Sequence, residues 1–382
     1  MTAAPHAPAA TTRLAALRSR QSRLRDDLEL LVTQESPSSD PVLTAACAGV
    51  VSEWAQSLLG VAPERVVIEG VTHLRWRFGG PARVLLVGHL DTVWPAGTLA
   101  RWPFRVEGDT ATGPGCFDMK AGLVQAVHAL TTLDDLDGVC LLVTADEELG
   151  SPTSSRLVVD SAAGALAALV AEPSAGGALK TSRKGVGLYS LELAGRAAHP
   201  GLEPERGANA AVALAHAVLA AAALADPTAG TTVTPTLLAA GATRNTVPAA
   251  GSVALDVRVP DAAEEARVDA ALRALSPAVP GTTLTVVGGP NRPPLPTSSS
   301  RDLFTLAQEI AAELGLPVLA GVGVGGGSDG NFTAGAGVPT LDGLGAVGDG
   351  AHAEGEHVVL SAMPDRAALL AGLVESLLAE RP

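Results

Sequence analysis

The sequence predicts an α/β protein: a layered, mostly parallel sheet in a larger domain, interrupted by a smaller inserted ferredoxin-like α+β domain. Three observations carry this. Apolar, strand-like runs such as "ARVLLVGHLDTV", "GVCLLVTA" and "ALAALVAEPS" alternate with helical stretches, the order of a sheet covered on both faces by crossover helices. The texture changes near residue 183, where a β-α-β-β-α-β order matches the ferredoxin-like split unit. After "GGPNRPPLPTSSS" (288–300), which punctuates like a linker, elements of the first kind return. The 382 residues are also too many for one ordinary core. The expected boundaries place the larger domain in two segments, 1–182 and 294–382, and the inserted domain at 183–293.

Residues 1–12, rich in Ala, Pro and Thr, read as a disordered tail. Helical patterning follows at 13–33 and 42–60. Then come the strands "RVVIEG", "THLRWRF" and "ARVLLVGHLDTV", a helix over 120–133, the buried strand "GVCLLVTA", a helix over 152–163 and the strand "ALAALVAEPS". In the inserted domain "KGVGLYSLELAGRAAHPG" alternates like a half-exposed strand, and a helix spans 205–225. "TTVTPTLLAAG" and "GSVALDVRVP" are strands, "DAAEEARVDAALRAL" is an amphipathic helix, and "TTLTVVGG" closes the set. A helix over 301–314, short strands and a helix from 364 complete the chain. The sequence contains no internal repeat and no heptad run.

Composition excludes some classes of function. A formal net charge of −14, 3% aromatic residues and no basic cluster argue against a nucleic-acid partner. Cys47, Cys116 and Cys140 form no CxxC and read as reduced thiols of a cytoplasmic protein. Arg, Gln and Asp interrupt the N-terminal region, so it lacks the continuous apolar core of a secretory signal. The run "ANAAVALAHAVLAAAALA" (208–225) has the length of a membrane span. Asn209 and His216 interrupt it and alanine contributes little transfer energy, so a helix of a soluble domain is expected and no membrane partner.

Four clusters of chemistry-bearing residues follow predicted strands, the edge where open α/β sheets gather ligands. In "VLLVGHLDTV", His89 and Asp91 stand at i and i+2 and so face one way. Imidazole is a strong zinc ligand, and a carboxylate behind it commonly fixes its tautomer. In "GPGCFDMKAGL", Asp118 follows a glycine-rich turn and precedes a helix, where an ordinary cap is the plain reading. In "TADEELGS", Asp146, Glu147 and Glu148 are consecutive. Neighbours in an ideal strand point oppositely, so Glu147 and Glu148 share a site only where the strand is ending. One would then ligate a cation and its neighbour act as general base. "ALVAEPS" places Glu172 after another strand, and "GAVGDGAHAEGEHV" supplies His352 in a glycine-rich loop. Each element alone reads as a satisfied polar pair, a cap or a solvated loop. Together they hold two imidazoles and several carboxylates, the inventory of a two-metal site for which zinc suits the mixed ligands.

"GHLDTVWPAG", "RVEGDTATGPGCFDMKAGL", "TADEELGS", "AEPS" and "GRAAHPG", in that order, resemble the M20 metallopeptidases, nearest their carboxypeptidase G2 (glutamate carboxypeptidase) branch. Aminoacylases, acetylornithine deacetylase and succinyl-diaminopimelate desuccinylase are its cousins, and the likeness runs from about residue 20 to the end. The resemblance implies two zinc ions per subunit, with Co2+ or Mn2+ as substitutes. His89 and Glu172 would lie on different ions, Asp118 would bridge both, and Glu148 and His352 would complete one shell each. Asp91 would orient His89, Glu147 would be the general base, and a cis peptide would follow Asp118.

The resemblance also implies that 183–293 is a dimerisation lid. His199 would reach into the site of the partner subunit to stabilise the oxyanion. Asn245 and Arg258 would hold the substrate carboxylate, a task that suits a guanidinium fork, and Gly327 and Ser328 would line the pocket. The expected activity is cleavage of an amide beside a free carboxylate, in a small molecule or short peptide. C-terminal glutamate release and N-acyl amino acid deacylation are its two forms. A catalytically silent metal-binding protein is the contrary reading, against which the intact residue set argues. The segment after Ser328 and Asp329 and the "HAEGEHV" stretch depart from the carboxypeptidase G2 wording, which touches glutamate specificity more than metal chemistry.

Two decoys belong to other chemistries. "GGSDG" (326–330) satisfies G-x-S-x-G, with Ser328 as nucleophile, but leaves Asp118, Glu147, Glu148 and Glu172 without a task. "GVGVGG" (321–326) matches a dinucleotide fingerprint but lies outside a first βαβ unit, and "SDGNF" does not read as a helix start. Lys184 reads as an exposed lysine of the inserted domain.

Overall fold

The computed structural model describes residues 7–379. It divides into two compact units. One comprises the residues before 183, 297–324 and those from 328 onward; the other comprises 183–296 with 325–327. Of the tail expected at 1–12, residues 1–6 lie outside the described residues, and those from Ala7 already belong to a helix.

The first unit opens with helices α1 (Ala7–Ser19), α2 (Gln21–Val32) and α3 (Pro41–Leu59), so the helix expected over 13–33 is broken at Arg20. Strands β1 (Glu64–Ile68), β2 (Val71–Phe78) and β3 (Val84–His89) follow. Next are α4 (Thr98–Arg101), β4 (Arg105–Glu107), β5 (Thr110–Thr112), α5 (Ala121–Leu130), β6 (Val139–Thr144), α6 (Ser155–Ala162), β7 (Ala167–Val170) and β8 (Leu179–Arg183). The main sheet has the order β1-β2-β6-β3-β7 and ends on a strand from the far end of the chain, Thr340–Leu341. From β6 onward every pairing is parallel, while β1 and β2 form an antiparallel edge.

Both faces of this sheet are covered, which explains the uninterrupted apolar strands. Leu86, Leu141 and Leu169 point into the larger core, shared with α2, α3 and α5. Leu85, Leu142 and Ala168 point into the smaller core on the other face, shared with α6. Each such leucine removed from water contributes about 1.5–3 kcal/mol. Helix α3 is long and apolar enough to cross a membrane by length and composition. Its buried face (Cys47, Ala48, Val51, Trp54, Ala55) packs toward β2 and α5. Close approach also fixes α5 against the end of β7: a Cβ on Gly122 would lie 1.9 Å from the Ala171 carbonyl oxygen.

The second unit runs β9 (Gly185–Ala194), α7 (Ala210–Ala222), β10 (Thr232–Ala240), β11 (Ala250–Val259), α8 (Ala262–Arg273) and β12 (Thr283–Arg292). Its sheet order, β10-β11-β9-β12, is antiparallel throughout and is that of a ferredoxin-like unit. Tyr189, Leu191, Leu193, Val253, Leu255 and Val257 alternate inward against α7 and α8. The membrane-length run becomes α7. Asn209 is its N-cap, accepting from the Ala211 and Val212 amides, and His216 lies on its exposed face.

The stretch 288–300 is not a linker. Gly288–Arg292 continue β12, where Pro290 is tolerated because this is an edge strand with an irregular register. Reciprocal backbone bonds between Arg183 and Leu295, 2.9 and 3.0 Å, keep the next residues in the second unit. The boundary therefore falls at 296 rather than 293. The first unit resumes with α9 (Thr297–Glu313), β13 (Gly321–Val324), α10 (Gly330–Gly335), β14 (Thr340–Leu341), β15 (Gly348–Asp349), β16 (His357–Val359) and α11 (Ala362–Ala379).

Candidate functional site

The chemistry-bearing residues gather at the carboxyl ends of the parallel strands. His89 is the last residue of β3, and Glu172 stands two residues beyond β7. Strand β6 ends at Thr144, and Glu147–Leu149 form a single 3-10 turn. The strand has therefore ended before the paired glutamates, and both can turn toward one place. Asp118 lies in a wide turn, Cys116–Lys120, ahead of α5; its side chain caps no helix, and the Asp118–Met119 peptide is cis. Gly115 allows that turn, with φ 71° and a position where a Cβ would sit 2.3 Å from Thr92 Cγ2.

Two imidazoles face the opposite oxygens of Asp118. His89 Nε2 is 3.3 Å from Asp118 Oδ1 and 3.4 Å from Glu172 Oε1. His352 Nε2 is 3.5 Å from Asp118 Oδ2 and 3.1 Å from Glu148 Oε2. His89 and Glu172, expected on different ions, lie side by side because β3 and β7 are adjacent parallel strands, while Glu148 lies beside His352. Donor atoms of His89, Glu147 and Glu172 lie within 4.8 Å of one another, as do those of His89, Asp118 and Glu148.

Charges are crowded here. Burial disfavours the His89 cation, yet the nearby Asp118, Asp91 and Glu172 carboxylates outweigh it and hold its pKa well above the usual imidazole value. The Asp118 and Glu148 carboxylates raise that of His352 to about 10. Asp118, despite burial, is held well below the usual carboxylate range by His352 and His89. Burial raises Glu148, with the Asp118 charge adding to it against the pull of His352. Two buried atoms, His89 Nε2 and Asp118 Oδ1, have no hydrogen-bond partner. The two face each other at 3.3 Å beside the Glu172 carboxylate, which is what a site for a cation would present.

The surrounding groups hold the cluster in place. His89 Nδ1 donates to the Asp91 backbone carbonyl at 3.0 Å, while the Asp91 carboxylate is 3.5 Å away. Orientation of His89 thus comes mainly from the backbone of Asp91. The Asp91 carboxylate instead accepts the Glu147 and Glu148 amides, both at 3.2 Å, and the Ser38 hydroxyl at 2.6 Å. Asp146, given no chemistry by the sequence, accepts from the amides and hydroxyls of both Thr153 and Ser154, fastening the turn behind the glutamates.

Sequence reasoning missed two residues. Lys180 Nζ lies 3.8 Å from Glu172 Oε2, and its charge helps hold Asp118 ionised. Glu356 accepts the Asp118 amide. The only local signals are a lysine on a short strand and an acid four residues after His352.

Ser328 is fully buried; its Oγ donates to Asp342 Oδ2 at 2.6 Å and accepts from the Gly330 amide. A hydroxyl so engaged is no nucleophile. Gly330 does open a short helix, contrary to expectation, but Gly321 and Gly323 of the dinucleotide-like run lie inside β13. In the second unit, a Cβ on Gly327 would meet Val186 Cγ2 at 2.8 Å. His199 and Asn245 are exposed on loops, and His199 Nδ1 accepts from the Gly201 amide. Arg258 does not present a free fork: Nε and Nη2 each lie 2.8 Å from an oxygen of Asp256, on the same strand face. Lys184 is half-buried rather than exposed and donates to the Gly230 carbonyl.

Comparison with known proteins agrees with this geometry. Residues 85–376 match peptidase family M20/M25/M40. The chain is 33% identical over 312 residues to carboxypeptidase G2 of a Pseudomonas species, covering 78% of this chain and 74% of that protein. It is 31% identical over 271 residues to the succinyl-diaminopimelate desuccinylase of Dinoroseobacter shibae, covering 64% and 71%. Among solved structures, the M20 metallo-carboxypeptidase Sso-CP2 of Sulfolobus solfataricus superimposes with a TM-score of 0.73 at 16% identity, over 93% of this chain and 99% of that one. The aminopeptidase PepT of Bacillus cereus does so with 0.71 at 20% identity, over 94% and 99%. At such identities the structures speak for the fold alone. The family match and the carboxypeptidase G2 relationship make the conclusion plain: this chain is a hydrolase belonging to the metal-dependent peptidase family M20/M25/M40.

Proposed function

We propose that the protein is a dinuclear zinc amidohydrolase that cleaves an amide bond beside a free carboxylate. The observation that carries this is Asp118, whose two oxygens face His89 and His352, each imidazole backed by its own glutamate. One ion would be held by His89, Glu172 and Asp118, the other by His352, Glu148 and Asp118. Mixed nitrogen and carboxylate donors suit zinc, with Co2+ or Mn2+ as substitutes. Bound zinc supplies a lowered water pKa and polarisation of the scissile carbonyl.

Glu147 is the general base in this reading. It is 7% exposed, sits on the 3-10 turn, and its amide is held by Asp91. Its carboxylate takes the proton of the attacking water and returns it to the departing amine nitrogen, so that atoms and charge balance over one turnover. His199 of a second copy would stabilise the oxyanion. Asn245 and Arg258 would bind the substrate carboxylate, Arg258 by exchanging Asp256 for it.

A homodimer through the second unit belongs to the same proposal. Strand β10 pairs only on one side, and Leu237 and Leu238 on it are 75% and 60% exposed, an edge that suits pairing with another copy. The three scattered free cysteines support a cytoplasmic site of action.

The likeness to carboxypeptidase G2 favours C-terminal glutamate as the released residue. The likeness to a desuccinylase supports a second reading, N-acyl amino acid deacylation by the same residues. A panel of N-acyl-glutamates and other N-acyl amino acids, with zinc-loaded and metal-stripped protein, decides. Zinc-dependent release of glutamate in preference to other residues supports the first reading, and broad deacylation the second. Full activity in stripped protein removes both. Sedimentation of Leu237→Asp/Leu238→Asp tests the dimer: the variant should run as a monomer, and a dimer retained would reject this interface.

A further inference from the structure

The glycine-rich loop near the end of the chain holds an acid that the strand-end inventory does not contain. Glu356 has no exposed surface. Its Oε1 accepts from the amides of Phe117 (2.8 Å) and Asp118 (2.9 Å). Its Oε2 accepts from the Gly115 amide (3.0 Å) and from Trp94 Nε1 (2.9 Å). A carboxylate has about four acceptor positions, and here four donors fill them.

These donors come from two segments distant in sequence. One is the turn that presents Asp118; the other is the loop leaving β3, five residues beyond His89. Glu356 itself stands four residues after His352, next to β16, which pairs with β5 and β15. One buried carboxylate therefore ties together the three chain segments that carry His89, Asp118 and His352. Apart from the β15–β16 pairing at its base and turn bonds from the Ala353 and Glu356 amides, the loop it anchors has few side-chain contacts. Residues 351–355 are exposed, His352 adopts φ 63° with its side chain half exposed, and the loop's ion pair between Glu354 and Arg101 is long, at 3.8 Å, and solvent-facing. Such exposed pairs fix little. Hydrogen bonds to a buried charge are stronger and directional.

We infer that Glu356 is a positioning residue: it sets the spacing between Asp118 and His352, and through it the geometry in which the pair holds a cation. This rests on the metal reading proposed above. Glu356→Gln keeps the shape but turns an NH2 group toward amide donors, so one donor pair loses its acceptor. Groups behind metal ligands typically change metal affinity by about 10–100-fold when altered.

The experiment is a zinc titration of metal-stripped full-length protein, well below each variant's melting temperature, paired with the visible spectrum of the cobalt-loaded form. Glu356→Gln should bind the weaker zinc about 10–100-fold less tightly and shift the cobalt bands. Trp94→Phe, which removes one donor of four, should fall between it and wild type. Glu354→Gln, on the same loop but paired at the surface, should match wild type. A purely structural role would lower the melting temperature of the stripped protein and leave the zinc affinity of the folded variant unchanged, which overturns the inference. If Glu356→Gln does not fold, Trp94→Phe decides, and wild-type affinity there overturns it as well. A wild-type chain that takes up no zinc instead overturns the metal reading, and this inference with it.

Discussion

Asp146 and Asp118 are both acids at the carboxyl edge of the sheet, and they differ in how their oxygens are used. Asp146 accepts four bonds from Thr153 and Ser154. Asp118 Oδ1 has no hydrogen-bond partner and faces an equally unpartnered His89 Nε2. The first carboxylate is a structural fastening: its donors are fixed loop groups, and the turn bearing Glu147 and Glu148 depends on them. The second is held in place through its backbone, by Glu356, so that its side chain stays available. A filled acid builds the site and an unfilled one is left to work in it.

The strongest way to sharpen that contrast is to remove the proposed base, which neither fastens nor ligates in this reading. Glu147→Ala should keep both metals and lose kcat by about 10²–10⁴-fold, the usual range for a positioned general base. Metal content and turnover measured on one preparation check this, and near-wild-type hydrolysis would reject the role. Next come the two aspartates. Asp118→Asn should weaken zinc binding by at least about 100-fold and also cost the stripped protein the pairing of this carboxylate with the His89 and His352 imidazoles. Asp146→Asn should leave the zinc affinity of the folded protein unchanged and lower stability by about 3 kcal/mol, since it leaves buried donors without an acceptor. Zinc titrations of both stripped proteins break the comparison if the two aspartates behave alike.

The smallest effect is one of pH. His352 titrates near 10 in the metal-free fold, raised by Asp118 and Glu148. A raised folded pKa contributes stability that is fully present below the ordinary imidazole pKa and is lost as pH climbs through about 10. The half-exposed side chain keeps this contribution modest. In the proposed reading zinc displaces that proton, so affinity should rise about tenfold per pH unit between 6.5 and 8.5 for each proton released. Calorimetry in buffers of different ionisation heats would count the protons, and a release of none would contradict the raised imidazole.

Much of this was legible because it is local. Apolar runs of strand length, ending in His89, Thr144 and Val170, are set by neighbours in sequence, and their carboxyl ends mark where ligands collect. Glycine and proline punctuation misled at Gly288–Arg292, where pairing with β9 carried the strand on through a proline. Arg258 illustrates the same limit in the second unit, since its partner Asp256 is visible only as a neighbour two residues away on a strand face.

By itself, then, the sequence determined the two kinds of layer, the strand ends and the set of acids and imidazoles placed there. Only the tertiary structure decided which acid meets which imidazole. His89 joins Glu172 because β3 lies beside β7, and Glu148 meets His352 across more than two hundred residues. It also separated three consecutive acids into a fastener and two site residues, because the direction of a side chain follows from where β6 ends and which donors the next loop brings. Sequence order fixes what arrives at a sheet edge; the order of strands in space fixes what it touches.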